Sequence, residues 1–208
     1  NEFIIDKFAS DNNTTAFDKL LPFSKNHYSS NISIAHTRWA THGAKTDKNS
    51  HPHLSFNKKI CLVHNGIIEN FSNLKKKLID NNYEFKSATD TEVIVNLLEY
   101  EYILCNDIKI ALKNTIEQLE GTWGISFLLL DQPNKLYCTR RGSPLLVGMN
   151  EDIAIITSEQ SGFNNKISNY FILNNNDICI LALENDRIKI YTEDSYVDRK
   201  STRLTVTQ

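Results

Sequence analysis

The residues best suited to chemistry lie in one stretch, Ile34 to Gly43, which reads I-A-H-T-R-W-A-T-H-G. Apolar and polar residues alternate where it begins, which predicts a strand over Ile32–Thr37. The strand then ends in a cation, a large aromatic ring, a hydroxyl and an imidazole, a combination that indicates a small-molecule site. An edge strand with a solvated arginine and a core tryptophan would read the same way. The four residues are Arg38, Trp39, Thr41 and His42.

The stretch H-T-R-W-A-T-H-G at 36–43 resembles the glutamine loop of class II glutamine amidotransferases. S-H-P-H at 50–53, V-H-N-G-I-I-E-N at 63–70 and T-D-T-E-V at 89–93 follow in the order found in that family. The sequence is most similar to the glutaminase domain of the glutamine–fructose-6-phosphate amidotransferase family. The resemblance implies an α+β fold, the N-terminal-nucleophile hydrolase sandwich, with two antiparallel sheets between helix layers. We expect that domain over residues 1–192 and a polar tail or linker over 193–208.

The resemblance implies a catalytic or binding role for residues in each motif. Arg38 would hold the α-carboxylate of glutamine by a two-point fork, and Asp90 would hold its ammonium group. The side-chain amide of Asn65 and the backbone N–H of Gly66 would form an oxyanion hole. Trp39 would separate the glutamine site from an ammonia channel. The remaining pocket residues implied are Thr41, His42 and His51.

Simpler explanations compete with three of these roles. Asn65-Gly66 between strand-like runs is a common signal of a tight hairpin turn. Arg38 could form a surface ion pair. Asp90 falls in the first turn of a helix that Thr89 is predicted to cap, where a carboxylate suits the helix dipole. A metal site built from the histidines is disfavoured, because no helical H-x-x-x-H or Cys/His pair supports it.

The nucleophile is where the sequence departs from the family pattern. The family uses an N-terminal cysteine whose own α-amino group is the base. Here residue 1 is Asn1 and the first cysteine is Cys61. We therefore expect the opening strand and nucleophile segment to lie outside this sequence, and the chain alone to be inactive. A non-catalytic glutamine-binding or regulatory domain, or the glutaminase domain of another class II amidotransferase, remain alternatives.

The resemblance also implies a parent protein with a wider activity. The glutaminase domain would hydrolyse glutamine to glutamate and pass ammonia to fructose 6-phosphate, giving glucosamine 6-phosphate for hexosamine biosynthesis. The implied partners are L-glutamine and a sugar-phosphate isomerase half of the same protein, which would supply any homodimer contact. No cofactor or metal is expected.

Composition excludes several other classes of function. With 208 residues, a net charge of −2 and a pI near 6.3, the chain shows no basic bias toward nucleic acid or an anionic membrane. The longest apolar run, Ile125–Leu130, is too short to span a bilayer. Cys61 and Cys179 lie in apolar strand-like runs and read as buried thiols in a reduced, cytoplasmic compartment.

Periodicity predicts helices in the first half and strands in the second, an α+β pattern. A strand is expected over Glu2–Phe8, and a short helix capped by Thr14 is expected to run to Leu21 and stop at Pro22. Three more helices should begin after Asn70, Thr89 and Asp107. A meander of antiparallel strands should follow from Thr122, with Trp123, Ile125, Phe127 and Leu129 on one face.

Overall fold

A computed structural model of the protein describes residues 2–38 and 43–192, and the backbone of 195–196. It contains four α-helices within those ranges: α1 Ala16–Leu20, α2 Phe71–Asp80, α3 Asp90–Cys105 and α4 Ile108–Gln118. The strands are β1 His53–Leu54, β2 Ile60–Ile68, β3 Gly121–Leu129, β4 Lys135–Arg141, β5 Leu146–Met149, β6 Ala154–Thr157, β7 Tyr170–Ile172, β8 Ile178–Glu184, β9 Arg187–Thr192 and β10 Ser195–Tyr196. Short 3-10 helices cover Leu21–His27, Asp47–Asn49 and Gln160–Phe163.

The strands form two antiparallel sheets, which confirms the predicted fold class. One sheet has seven strands in the order β1-β2-β3-β4-β8-β9-β10, and the other has three in the order β6-β5-β7. The second half is therefore not a simple meander. After β4 the chain leaves the large sheet, builds the small one, and returns as β8 beside β4.

Helices α3 and α4 begin where the sequence predicts, because their caps are local. Thr89 accepts a hydrogen bond from the backbone N–H of Glu92 at the start of α3, and Asp107 accepts from the N–H groups of Lys109 and Ile110 at the start of α4. Asn106 ends α3 in the left-handed conformation, with φ +53°. Among the described residues, no helix is long and apolar enough to cross a membrane.

Alternate side chains of the large sheet point to two different cores. We call the first the helix-side core, where α2, α3 and α4 cover the sheet. Trp123, Ile125, Phe127 and Leu129 all point into it, as predicted. Its other members include Leu62 on the sheet and Leu78, Leu97 and Leu112 on the helices, each at most 1 % exposed.

The opposite face of the sheet packs on the small sheet, and we call this the sheet-side core. Its buried members include Leu136, Cys138, Val147, Cys179 and Leu181. Ile32 and Ile34 pack against it but are only partly buried. An open groove of about 700 Å³ separates their segment from β6. The sheet-side core is thus less completely covered than the helix-side core.

Two predicted strands were wrong. Neither Glu2–Phe8 nor Ile32–Thr37 forms a strand in the structure. A strand needs a neighbouring backbone to complete its ladder, and no backbone–backbone hydrogen bond joins these segments to a neighbour within the described residues. The predicted alternation survives in burial, since Ile32, Ile34, His36 and Arg38 are partly buried while residues 33, 35 and 37 are exposed.

The prediction for the first helix also needs correction. Thr15, rather than Thr14, caps α1, and its hydroxyl accepts from the N–H of Asp18. Helical structure continues past Pro22, which lies in the first turn of the 3-10 helix that follows. A missing N–H costs nothing at that position. The predicted tail 193–208 lies outside the described residues, except that Ser195–Tyr196 pairs with β9.

Candidate active site

A cavity of about 300 Å³ brings together most of the predicted site residues. It opens between the end of β2, the start of α3 and the segment that precedes residue 39. Arg38, His51, Asn65, Gly66 and Asp90 all line it. The predictions for Trp39, Thr41 and His42 fall outside the described residues. The other lining residues are His36, Thr37, His64, Ile67, Thr89, Thr91 and Thr122.

Asn65 and Gly66 lie inside strand β2, so the hairpin-turn interpretation is wrong. Asn65 pairs with Gly124 and Gly66 with Trp123, and the ladder to β3 runs on to Ile68. Gly66 has φ +133°, and a Cβ there would lie 2.1 Å from the carbonyl oxygen of Thr122. Only glycine fits this backbone conformation and this close approach.

Asp90 is held rigidly on the other side of the cavity. It is the first residue of α3 and is 4 % exposed. Its Oδ2 accepts a hydrogen bond from the backbone N–H of Ile68 at 3.0 Å, which ties the helix start to the end of β2. The interpretation of Asp90 as a helix-dipole partner therefore holds alongside its place in the cavity.

Arg38 reaches the cavity from the irregular segment. Its two terminal nitrogens donate to the carbonyl oxygens of Ala44 and Gly43, each at 3.1 Å. Burial lowers the pKa of Arg38, whereas the nearby carboxylate of Asp90 raises it. A cation and a carboxylate close to each other suit a zwitterion, whose two charges are one carbon apart.

A closed set of hydrogen bonds among His51, His64 and Thr91 lines the cavity. The backbone N–H of His64 donates to Nδ1 of His51 at 3.3 Å, so the proton of His51 is on Nε2, which faces Thr91 Oγ1 at 3.4 Å. Nε2 of His64 faces the Thr122 carbonyl at 3.4 Å and carries its proton there. The Thr91 hydroxyl can therefore donate to His64 Nδ1, 3.2 Å away.

Burial keeps the imidazoles of His36 and His51 uncharged. It is the largest cause of the lowered pKa of His36 and His51, with like charges adding to the effect. Burial likewise lowers the pKa of His53 to about 3, with the charges of Lys7 and Arg38 adding to it. Although several histidines lie close together, the described residues contain no group of three His, Cys, Asp or Glu side chains arranged to hold a metal ion.

No cysteine is among the described residues that line the cavity. The first cysteine, Cys61, lines a different pocket, and burial raises its thiol pKa to about 12. A thiol with so high a pKa is a poor nucleophile at neutral pH. The described part of the site can therefore bind and polarise a substrate, but it supplies no activated thiol.

Several lining residues escaped the sequence analysis. Thr91 has a weak signal, since it follows Asp90 in T-D-T-E-V, but Thr122 has none, because its carbonyl reaches the cavity only through its pairing with Ile67. His36 and His64 belong to the quoted motifs, yet only a metal role was considered for them. Their contacts span 29 and 27 residues in the chain and depend on tertiary structure.

Two solved structures share the fold of this chain. A structure described as "glutamine phosphoribosylpyrophosphate (PRPP) amidotransferase from B. subtilis complexed with ADP and GMP" matches 75 % of this chain and 33 % of its own, with TM-score 0.61 and 23 % identity. Another, "structure of the allosteric regulatory enzyme of purine biosynthesis", matches 75 % of this chain and 34 % of its own, with TM-score 0.62 and 23 % identity. The fold is that of the N-terminal-nucleophile amidotransferases.

Sequence comparison identifies the family. The profile described as "Glutamine amidotransferase domain" matches residues 36–165, and the chain belongs to this family. A probable glutamine–fructose-6-phosphate aminotransferase (isomerizing) of Acanthamoeba polyphaga mimivirus is 43 % identical over 188 residues, covering 89 % of this chain and 30 % of the relative. The Methanococcus maripaludis enzyme of that name is 44 % identical over 164 residues, 76 % of this chain and 27 % of its own length. The chain thus spans under a third of these relatives.

Proposed function

We propose that the cavity binds L-glutamine and that this domain hydrolyses its side-chain amide to glutamate and ammonia. The observation that supports this most directly is the convergence of Arg38, Asp90, Asn65 and Gly66 on one cavity of about 300 Å³. The four residues come from three separate parts of the chain. Family membership supports the same substrate.

Each end of glutamine has a complementary group in the proposed complex. The guanidinium of Arg38 binds the α-carboxylate, and the carboxylate of Asp90 binds the ammonium group. This leaves the side-chain amide to extend toward Asn65 and Gly66. Because Asp90 is tied to β2 through the Ile68 N–H, the clamp and the reacting end of the substrate are held at a fixed separation.

Catalysis then requires charge stabilisation and a nucleophile. The Asn65 amide nitrogen and the Gly66 N–H donate to the oxyanion that forms when the amide carbon is attacked. We propose that an N-terminal cysteine of the parent protein makes this attack, and that its α-amino group takes the thiol proton. The thioester that forms when ammonia leaves is hydrolysed by water to give glutamate.

The activity and partners of the parent protein are proposed from its relatives. We propose that the parent protein passes the ammonia to fructose 6-phosphate on a sugar-phosphate isomerase half, which also forms a homodimer, and that it works in the cytoplasm. Support comes from the names of the relatives, glutamine–fructose-6-phosphate aminotransferase (isomerizing), and from the free cysteines of the described residues.

Glutamate release by the parent protein tests the proposal. Asn65→Asp removes the N–H donor and adds a negative charge beside the developing oxyanion, so turnover should fall by at least about 100-fold. In the wild type, His36 Nε2 lies 2.6 Å from Asn65 Oδ1. Because the substitution keeps an oxygen that can accept from His36 Nε2, the melting temperature should stay near that of the wild type. Retained turnover would remove Asn65 from catalysis.

A second assay separates the catalytic reading from a purely binding one. The 208-residue chain should release no glutamate above a no-enzyme blank, because its cavity has no activated thiol among the described residues. Turnover by this chain that Cys61→Ala abolishes would overturn the N-terminal-nucleophile assignment. A parent protein that binds glutamine but never hydrolyses it would instead establish the non-catalytic alternative.

A further inference from the structure

His36 makes a short polar contact in the cavity and has no role in the mechanism proposed above. Its Nε2 lies 2.6 Å from Oδ1 of Asn65. A side-chain amide oxygen can only accept a hydrogen bond, so Nε2 must carry the proton. The Asn65 oxygen is thereby engaged by His36, and the NH₂ group is left as the end of the amide that can donate.

The surroundings of His36 fix its ring as firmly as its partner does. Its ring stacks on His51, with centroids 4.1 Å apart and planes 16° apart. Nδ1 is buried and has no hydrogen-bond partner among the described residues. A proton on Nδ1 would be a buried, unsatisfied donor close to Arg38, which is unfavourable. The Nε2–H tautomer is therefore the form that the site selects.

We propose that His36 is a positioning residue for glutamine hydrolysis, acting as an Nε2–H donor that holds the Asn65 amide with its NH₂ toward the oxyanion. This inference rests on the proposed function and adds to it the device that sets the amide orientation. Without that donor, the two ends of the Asn65 amide are nearly equal in shape, and rotation by 180° would present an oxygen to the oxyanion. An oxygen there repels the developing charge instead of stabilising it.

The tautomer can be measured on the 208-residue chain without any turnover. Long-range ¹H–¹⁵N spectra of the ¹⁵N-histidine-labelled protein report which ring nitrogen carries the proton. We expect His36 as the neutral Nε2–H form at pH 7, and we expect Asn65→Leu to change its ring signals more than those of His53. An Nδ1–H tautomer at pH 7 would overturn the proposal, whatever the outcome for glutamine hydrolysis.

Kinetics of the parent protein test the effect on catalysis. His36→Phe keeps the stacked ring and removes the donor, and kcat should fall about 10- to 100-fold, less than the loss of the oxyanion donor itself. KM should change little, because the Arg38–Asp90 clamp is intact. His36→Gln places an amide N–H near the position of Nε2 and should restore kcat to within about fivefold of wild type.

A double-mutant cycle shows whether His36 acts through Asn65. In an Asn65→Ala background there is no amide to orient, so adding His36→Phe should cause no further loss of kcat. An equal loss in both backgrounds, or a loss that His36→Gln fails to reverse, would overturn the positioning role and leave His36 as a packing residue. Failure of the wild-type parent to release glutamate would instead count against the proposed function, while the tautomer measurement still decides the contact.

Discussion

The two faces of the large sheet differ in how completely they are covered, and segments that pack on both faces line the candidate site. On the helix side, three helices bury a continuous apolar layer in which residues such as Leu78, Leu97 and Phe127 are fully buried. On the other side, the segment that carries Ile32 and Ile34 rests on the sheet-side core without a backbone ladder. The residues of one site thus belong partly to a strand and a helix and partly to a segment without backbone hydrogen bonds to a neighbour among the described residues.

This difference separates the proposed roles. Asn65, Gly66 and Asp90, which the proposed reaction would require at fixed positions, belong to β2 and to the first turn of α3. His36, which contacts Asn65, and Arg38, the proposed carboxylate partner, belong to the segment without a backbone ladder. Catalytic groups on a rigid element keep their geometry, while groups on the weaker support depend on their partners.

The largest expected effect is on the rigid side, at Gly66. In Gly66→Ala the new Cβ would lie 2.1 Å from the Thr122 carbonyl, at φ +133°. We expect β2 to separate locally from β3 and the free energy of unfolding to fall by more than ~4 kcal/mol. Urea denaturation followed by circular dichroism measures it.

Gly124→Ala, opposite Asn65 on β3, is the matched control. Its Cβ would meet its nearest neighbour, the Pro144 carbonyl, at an ordinary 3.5 Å. Its cost should stay within about 1 kcal/mol. Equal losses at the two glycines would show that the close approach at Gly66 has no special importance.

The next effect compares the two cores directly. Leu78 is fully buried on the helix side, so Leu78→Ala should cost about 3–5 kcal/mol. Ile34 is only partly buried on the sheet side, and Ile34→Ala should cost roughly 1 kcal/mol, because part of its surface is already in water. A cost at Ile34 as large as that at Leu78 would contradict the difference between the faces.

A smaller effect concerns the buried His53 and the stability of the protein at acidic pH. The pKa of His53 falls from 6.5 to about 3 on folding. The unfolded chain therefore binds a proton that the folded protein does not, and stability is complete above pH 6.5 and declines as pH falls toward 3. The expected slope is about 1.4 kcal/mol per pH unit for this one group.

His53→Gln isolates that contribution, since it removes the titrating ring and keeps a group that can reach the Thr89 hydroxyl, 3.2 Å from His53 Nε2. The difference in unfolding free energy between the two proteins should change by about 2 kcal/mol between pH 6 and pH 4.5. Parallel pH profiles would mean that His53 is charged in the folded state.

Local patterns in the sequence account for most of the fold. The strands from β3 to β9 were predictable because alternation and short turns are local, and α3 and α4 were predictable from the caps at Thr89 and Asp107. The strand over Ile32–Thr37 was wrong for a non-local reason. Alternation specifies which side chains are buried, but it cannot specify whether a neighbouring backbone is there to pair.

The sequence motifs name several residues that line the cavity, but they do not give its geometry. The motifs pointed to Arg38, Asn65 and Asp90, yet Asn65-Gly66 read locally as a turn. The structure places it mid-strand because the ladder with β3 continues past it to Ile68. The His36–Asn65 contact joins residues 29 apart, and no local pattern indicates it.

Calorimetric titration of L-glutamine into this chain shows whether the cavity binds glutamine through the proposed clamp on its charged end. Arg38→Lys keeps the charge and loses the two-point fork, so the dissociation constant should rise about 10- to 150-fold. Arg140→Lys is the control, because Arg140 likewise donates to backbone carbonyls, those of Ser143 and Leu173, but lies outside the cavity. We expect a large loss of affinity for Arg38→Lys alone, and unchanged affinity in that variant, or equal losses in both, would contradict the proposed clamp.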